Sequence, residues 1–368
     1  MRIALFTPYS PEIGGGSVQL RSHLAEMPEL NVDWYYLSAS PLQSDHRHWL
    51  GKPLSPVQFA RDLCGRSRFL PGSTRSVRDI VSRMDADLYW VVAHYEGISV
   101  AAELLSMGKR VHLTVHDEPL AMLIRSRRFR PLLPLMAILL PRVLRGARSV
   151  DVTSRNMRDY FKWKYDVDCF ALYKYLPELP EMNIQLSEKT MAIGHIGSLY
   201  HPEPFRKFAL ACRNYAAKQN RSLKIARIGR SPEMDNIASK NLTPFENYGE
   251  LLEKEALPVL ATCDFVYAMY PGGFRYKRFR RTSLPIKLST YIQAQRPIFA
   301  HTPGDSGLAQ LVREYRLGKV CTSNRTTDIL ESIQEVLSMQ IGQINFEAIR
   351  KDLMGSEQIQ QLRNALVK

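Results

Sequence analysis

Arg2-Ile3-Ala4-Leu5-Phe6-Thr7-Pro8-Tyr9-Ser10-Pro11-Glu12-Ile13-Gly14-Gly15-Gly16-Ser17 is the stretch on which the reading of this chain turns. Residues 2–7 form a short apolar run that stops at a proline, and the glycines are followed by Val18, Leu20 and Leu24, which suit one helix. The stretch therefore reads as strand, glycine loop, helix. Bare backbone N–H groups at such a loop and the dipole of the helix behind it favour an anion; the alternative is a tight strand-to-helix turn with no ligand. It is not Gly-x-Gly-x-x-Gly, because the sixth position is Gln19, and no Gly-Lys-Ser/Thr follows it, so a Rossmann cofactor loop and a Walker loop are both disfavoured.

The same alternation recurs outward from this start. Residues 32–37, 88–92, 110–115 and 149–153 read as buried strands, with helical patterns at 97–107 and 131–145. The turn-rich segment 176–181 interrupts the series, and a second one begins, with strands expected at 191–196, 223–228, 264–269 and 297–300 and helices at 205–218, 251–261, 284–293 and 308–315. Strands alternating with helices predict an α/β chain of parallel, doubly wound sheets. At 368 residues the chain is too long for one core. We expect a first domain at 1–175, a linker at 176–190, a second domain at 191–345 and a helical tail at 346–368. Residues 40–82, with Pro41, Pro53 and Pro56 among them, have no clear period and read as a mobile loop near a cleft.

Composition narrows the function classes. Hydrophobic residues at 45% and charged residues at 23% exclude disorder, collagen and coiled coil. A net charge of +14 calls for an anionic partner: nucleotide phosphates, nucleic acid or an acidic membrane surface. Five widely spaced cysteines, an odd number, form neither a Cys-x-x-Cys metal site nor a disulfide framework and fit a reducing cytoplasm. The N-terminal apolar run is too short for a signal peptide, and the longest greasy stretch, 131–143, is too short to span a bilayer, which leaves peripheral contact with the inner membrane face as the expected mode of any membrane association.

Several segments together resemble the nucleotide-sugar glycosyltransferases of the GT-B fold, especially the large retaining group known as family four. They are Thr7 to Gly16, His116-Asp117 after a strand, Val152-Thr153-Ser154, Ile196-Gly197-Ser198-Leu199, Arg227-Ile228-Gly229, Cys263-Asp264, and Pro285-Ile286-Lys287-Leu288-Ser289-Thr290-Tyr291 before Arg296-Pro297. The likeness spans roughly residues 1–320. It implies two Rossmann-like domains facing a cleft, a terminal helix that crosses back to the first domain, and metal-independent transfer of a hexose from a nucleotide-diphosphate sugar, a UDP-sugar being the leading donor, with no further cofactor. The chain departs from the family at the Glu-x7-Glu pair, one carboxylate of which is taken to touch the donor sugar and the other the ribose: the matching positions are Thr282 and Thr290, and Gln295 replaces the glycine of the following turn.

The candidate donor-binding residues are Gly15, Gly16, Gly197, Ser198, Arg206, Lys207, Tyr248, Lys287 and Thr290. Arg206 and Lys207 match the family's basic pair on the diphosphate, or else line a solvated helix face. Lys287 stands at the start of a helix, where a cation is unfavourable unless it has an anion to hold. His94, His116, Asp117 and Glu118 are the acid–base candidates, all near expected strand ends, where ligands gather in open α/β sheets. An inverting enzyme would use Asp117 or Glu118 as base; in a retaining one His116 would position the sugar. His112, inside a strand, reads as core.

Two basic segments point to acceptors. Arg125-Ser126-Arg127-Arg128-Phe129-Arg130, with the apolar run behind it and Arg142 and Arg145 beyond, suits an anionic bilayer surface and a lipid-linked acceptor, or a buried helix with a basic flank. Gly272-Gly273-Phe274-Arg275-Tyr276-Lys277-Arg278-Phe279-Arg280-Arg281 packs five cations among three aromatics and suits a diphosphate clamp, a nucleic-acid patch or a solvated loop. Three functions stay open: glycosyl transfer to a lipid-linked or saccharide acceptor in glycan assembly, glycosyl transfer to nucleic acid, and a nucleotide-binding module that has lost catalysis.

Overall fold

The computed structural model describes residues 1–12, 14–42, 45–66, 75–181, 184–238 and 245–367; Ile13 of the opening motif and part of the 40–82 segment lie outside them. The chain divides into two compact units. The first comprises Met1–Tyr175, Arg281–Ser283 and Gly355–Lys368, and the second Leu176–Arg280 and Leu284–Met354.

The first unit is built on seven parallel strands: β1 (Arg2–Thr7), β2 (Asn31–Tyr36), β3 (Arg47–Trp49), β4 (Leu88–Val92), β5 (Val111–Val115), β6 (Ser149–Val152) and β7 (Phe170–Ala171), in the order β3-β2-β1-β4-β5-β6-β7. β4 and β5 are buried at every position, as strands covered on both faces must be. Side chains alternate across the sheet, so Ala4 and Phe6 join one core with Val91, Leu113 and Leu140, while Ile3 and Leu5 join another with Leu20, Trp90 and Leu172. That second core is closed by Ile359, Leu362 and Leu366 from the terminal helix Ser356–Val367. The chain order reverses between β1 and β4, which makes their C-terminal ends a switch point, the place where ligands collect in such sheets.

The second unit repeats the plan with six parallel strands: β8 (Thr190–Ile196), β9 (Ser222–Ile228), β10 (Phe245–Asn247), β11 (Phe265–Met269), β12 (Ile298–His301) and β13 (Gly318–Cys321), ordered β10-β9-β8-β11-β12-β13. Its core is aromatic, with Phe205, Phe208, Phe265, Tyr267 and Phe299 packed together. The switch point falls between β8 and β11.

Two sequence expectations need correction. The described part of 40–82 is not a loop: it supplies β3 and the helices Pro56–Arg66 and Arg75–Val81, and Phe59, Leu63, Val77 and Ile80 enter the core. The expected tail helix is two helices, Phe346–Met354 and Ser356–Val367, divided at Gly355 and assigned to different units.

Candidate functional site

Each unit presents a polar cluster at its switch point. In the first unit the glycine loop follows β1, and Gly15 opens the helix Gly15–Ala25. A Cβ on Gly16 would lie 2.5 Å from His116 Nδ1 and 2.5 Å from the Tyr9 hydroxyl, so only glycine lets the helix start this close to them. Tyr9 and His116 share a hydrogen bond of 3.0 Å between the phenol oxygen and Nδ1. Burial pushes the Tyr9 hydroxyl well above its ordinary value, which keeps the phenol protonated at pH 7. Burial likewise pulls the His116 imidazole down to about 4, so the ring is neutral at pH 7; in the tautomer with its proton on Nε2, Nδ1 accepts from the phenol. Nε2 is shielded from solvent and has no partner among the described residues, and it can donate to a ligand oxygen.

His94 closes the cluster, its ring 6.2 Å from that of Tyr9. Burial lowers its pKa, with Asp117 acting to raise it and Arg125 to lower it. The next residue, Tyr95, has φ 42° and ψ −109°, a conformation disfavoured for any residue with a side chain, at the turn that aims His94. Tyr95 packs on Phe129 at 4.9 Å, which anchors the basic segment beside it. Asp117 is half-buried. Glu118 is fully buried and serves the fold: it caps the helix Pro119–Arg125 by accepting from Ala121 N at 2.6 Å and also accepts from the Tyr165 hydroxyl at 3.2 Å. His112 is core, bonded to Ser149 and Asp151.

In the second unit the chain turns at Gly197 (φ 80°) after β8 and at Gly229 (φ 86°) after β9, and a Cβ on Gly229 would lie 3.4 Å from Gly197 Cα. Gly229 N donates to Gly249 O at 2.6 Å, which joins the turn Tyr248–Gly249 to the same edge. Lys287 reaches over this glycine pair: Nζ donates to Ser198 O at 3.4 Å and would stand 3.8 Å from a Cβ on Gly197. Burial lowers the Lys287 ammonium to about 7. Two glycine turns beside an amine are an arrangement whose chemistry suits an anion.

The remaining donor candidates are less central. Arg206 is exposed and held by Glu203 through two bonds of 3.0 Å, and Lys207 follows it half-buried. Tyr248 accepts from Lys224 Nζ at 3.1 Å and packs beside Ala192, Ala226 and Cys263. Thr290 is buried and its hydroxyl donates to Glu253 Oε1 at 3.0 Å. Gln295 does adopt the left-handed backbone of the glycine it replaces, with φ 50°, and its side chain donates to Pro180 O at 2.5 Å. Among the described residues, no group of three His, Cys, Asp or Glu side chains is arranged to hold a metal.

The fold takes the apolar face of the first basic segment and part of the charge of the second. Met136, Leu139, Leu140, Val143 and Leu144 of the helix Leu133–Gly146 are buried in the core of the first unit, which leaves exposed arginines at 127, 128, 130, 142 and 145 rather than an apolar face. In the second segment Phe279 is buried and Arg280 is locked to Asp305 by bonds of 2.7 and 3.0 Å, while Phe274 is 89% exposed beside exposed Arg275 and Lys277. No described helix is long and apolar enough to cross a membrane.

Tyr9 and Glu253 were not singled out by sequence reasoning. An isolated tyrosine two residues past a strand and a glutamate in an acidic helix start carry no spacing signal; only the tertiary contacts pick them out.

No protein-family model matches the sequence, and no curated protein matches it. Solved structures do match the whole chain. WaaG, a glycosyltransferase involved in lipopolysaccharide biosynthesis, superposes with a TM-score of 0.64 at 11% identity, covering 99% of each chain. Anabaena HepE, in complex with UDP and glucose, gives 0.62 at 16% identity over 100% of this chain and 99% of its own. An alpha-glucosyltransferase in complex with UDP and a 13-mer DNA gives 0.61 at 12% identity over 100% of both. Two parallel α/β units and these likenesses make this a GT-B fold.

Proposed function

We propose that the protein is a nucleotide-sugar glycosyltransferase that holds a UDP-sugar on the second unit and an acceptor hydroxyl on the first. The observation that carries this is Lys287: a lysine whose burial lowers its pKa to about 7, set over two adjoining glycine turns. An amine in that position is stabilised as ammonium by a diphosphate, and the interaction strengthens as the leaving nucleoside diphosphate gains negative charge, which is the differential stabilisation that lowers a barrier. UDP in HepE and in the DNA-bound enzyme supports uracil as the base.

On the first unit, neutral His116 offers Nε2–H to a sugar oxygen, while Asp117 and His94 stand beside it as proton acceptors for the hydroxyl that attacks. Glu118, spent on its cap and on Tyr165, supports no such role. Arg125 acts electrostatically on both His94 and Tyr95, which supports an acceptor with an anionic group close to the reacting hydroxyl. A saccharide on a phosphate-linked lipid, met at the inner membrane face through the exposed arginines, fits that requirement, and WaaG, a lipopolysaccharide enzyme of the same fold, supports it. Transfer to DNA is the second reading, favoured by the exposed Phe274-Arg275 pair and by the DNA-bound neighbour.

A thermal-shift series with UDP-, GDP-, ADP- and CMP-sugars tests the donor, since a ligand at 100 times its dissociation constant adds about 2.7 kcal/mol. Stabilisation by UDP-sugars alone is expected; none by any nucleotide would overturn the proposal. Co-sedimentation with anionic liposomes, compared between wild type and the fourfold substitution of Arg125, Arg127, Arg128 and Arg130 by Ser, separates membrane from nucleic acid. Liposome binding that the substitutions abolish is expected; binding to DNA instead selects the second reading.

A further inference from the structure

We infer that Glu253 is a ribose-binding carboxylate, supplied from a different element than the position where a carboxylate is missing. The inference rests on the nucleotide reading above and deepens it. Thr290 follows Lys287 by three residues on the helix Lys287–Gln293, and side chains three apart share a helix face. Along that face the chemistry changes from cation to anion within one turn, because Thr290 Oγ1 donates to Glu253 Oε1 at 3.0 Å and Gln293 Nε2 approaches the same oxygen at 3.4 Å. Glu253 itself opens the helix Glu253–Ala261, four residues after Gly249, whose carbonyl is bonded to Gly229 beside Gly197. The carboxylate therefore belongs to the same edge of the sheet as the glycine turns and the lysine.

A nucleoside diphosphate presents two chemistries a short step apart. Its phosphates only accept hydrogen bonds, which matches an ammonium; its ribose 2′- and 3′-hydroxyls donate them, which matches a carboxylate. A rise of about 1.5 Å per residue sets Thr290 roughly 4.5 Å along the helix from Lys287, a separation that suits a ribose diol on one side and a phosphate on the other. A carboxylate can accept about four hydrogen bonds, and Thr290 and Gln293, both donating to Oε1, orient the group. Threonine at 290 thus positions the carboxylate in place of being one. The same geometry explains why a threonine is buried there: its hydroxyl needs an acceptor, and Glu253 is that acceptor.

The test compares UDP with 2′,3′-dideoxy-UDP by titration calorimetry on wild type, Glu253→Gln and Thr290→Val, with melting temperature as the folding control. Wild type is expected to prefer UDP. Glu253→Gln should lower UDP affinity roughly tenfold, the scale of one charge-assisted hydrogen bond, and leave dideoxy-UDP unchanged, so that the preference collapses. Thr290→Val, which removes only an orienting donor, should lower the preference part-way. A preference that survives in Glu253→Gln overturns this inference alone and leaves the nucleotide reading standing. Failure of wild type to bind any nucleoside diphosphate overturns both.

Discussion

The two units end their first strands alike, in glycine turns at a switch point, yet the turns face opposite chemistry. At Gly16 the missing Cβ makes room for the protein's own side chains, Tyr9 and His116, and the cluster so formed is neutral and hydrogen-bonded. At Gly197 and Gly229 the missing side chains bring two backbone turns together under a lysine that burial has brought to the edge of neutrality. One turn is closed on the protein's own side chains and the other lies under an amine. A strand–glycine–helix pattern therefore specifies a turn, and what the turn is for depends on which side chains other strands deliver to it.

This contrast can be broken most strongly at Lys287. Lys287→Ala should weaken UDP by about 1.5–3 kcal/mol, roughly 10- to 150-fold, and leave uridine nearly unchanged, as calorimetry on both ligands would show. Equal losses would mean that the lysine holds no phosphate. Next, Gly16→Ala drives a Cβ into Tyr9 and His116 and should destabilise the protein by about 1–3 kcal/mol, read as a lower melting temperature, because overpacking forces neighbours apart.

The pH dependence sharpens the same contrast. Free Lys287 titrates near 7 rather than 10.5, so a diphosphate that needs the ammonium must bind with proton uptake above pH 7. UDP affinity should fall by up to about tenfold per unit from pH 7 toward pH 9. Lys287→Arg, which stays charged, should abolish that slope. For stability the sign is opposite: between about 7 and 10.5 the unfolded chain binds the proton that the folded lysine lacks, so wild type should gain stability over that window relative to Lys287→Met. The smallest effect is expected at Tyr9→Phe, which removes one hydrogen bond to His116 and should cost about 0.5–1.5 kcal/mol in thermal unfolding.

Much of the frame was legible because buried parallel strands are near-continuous apolar runs. Leu88–Val92 is legible to the residue, and the other strands expected from apolar runs fall within a residue or so of where the structure has them. The three-residue β3 and β10 and the two-residue β7 were not, since edge strands this short carry no period. The 40–82 segment failed for another reason: its prolines masked an amphipathic helix, Pro56–Arg66, whose Phe59 and Leu63 face the core.

The site divides along the same line. Gly197, Lys287, His94 and His116 stood out as residue types at strand ends or helix starts, where position along the chain already dictates what the backbone offers. Glu118 and Arg280 carry the same chemistry in the sequence, but a cap and an ion pair absorb them into the fold. By itself the sequence determined the α/β alternation, the need for two cores and the excess of positive charge, because these follow from periodicity, length and counting. Only the tertiary structure decided which charges are spent on the fold and which groups meet. Tyr9 is separated from His116, and Glu253 from Thr290, by long stretches of chain, and burial, which sets the protonation of Lys287 and His116, is a property of the packed neighbours rather than of the residue.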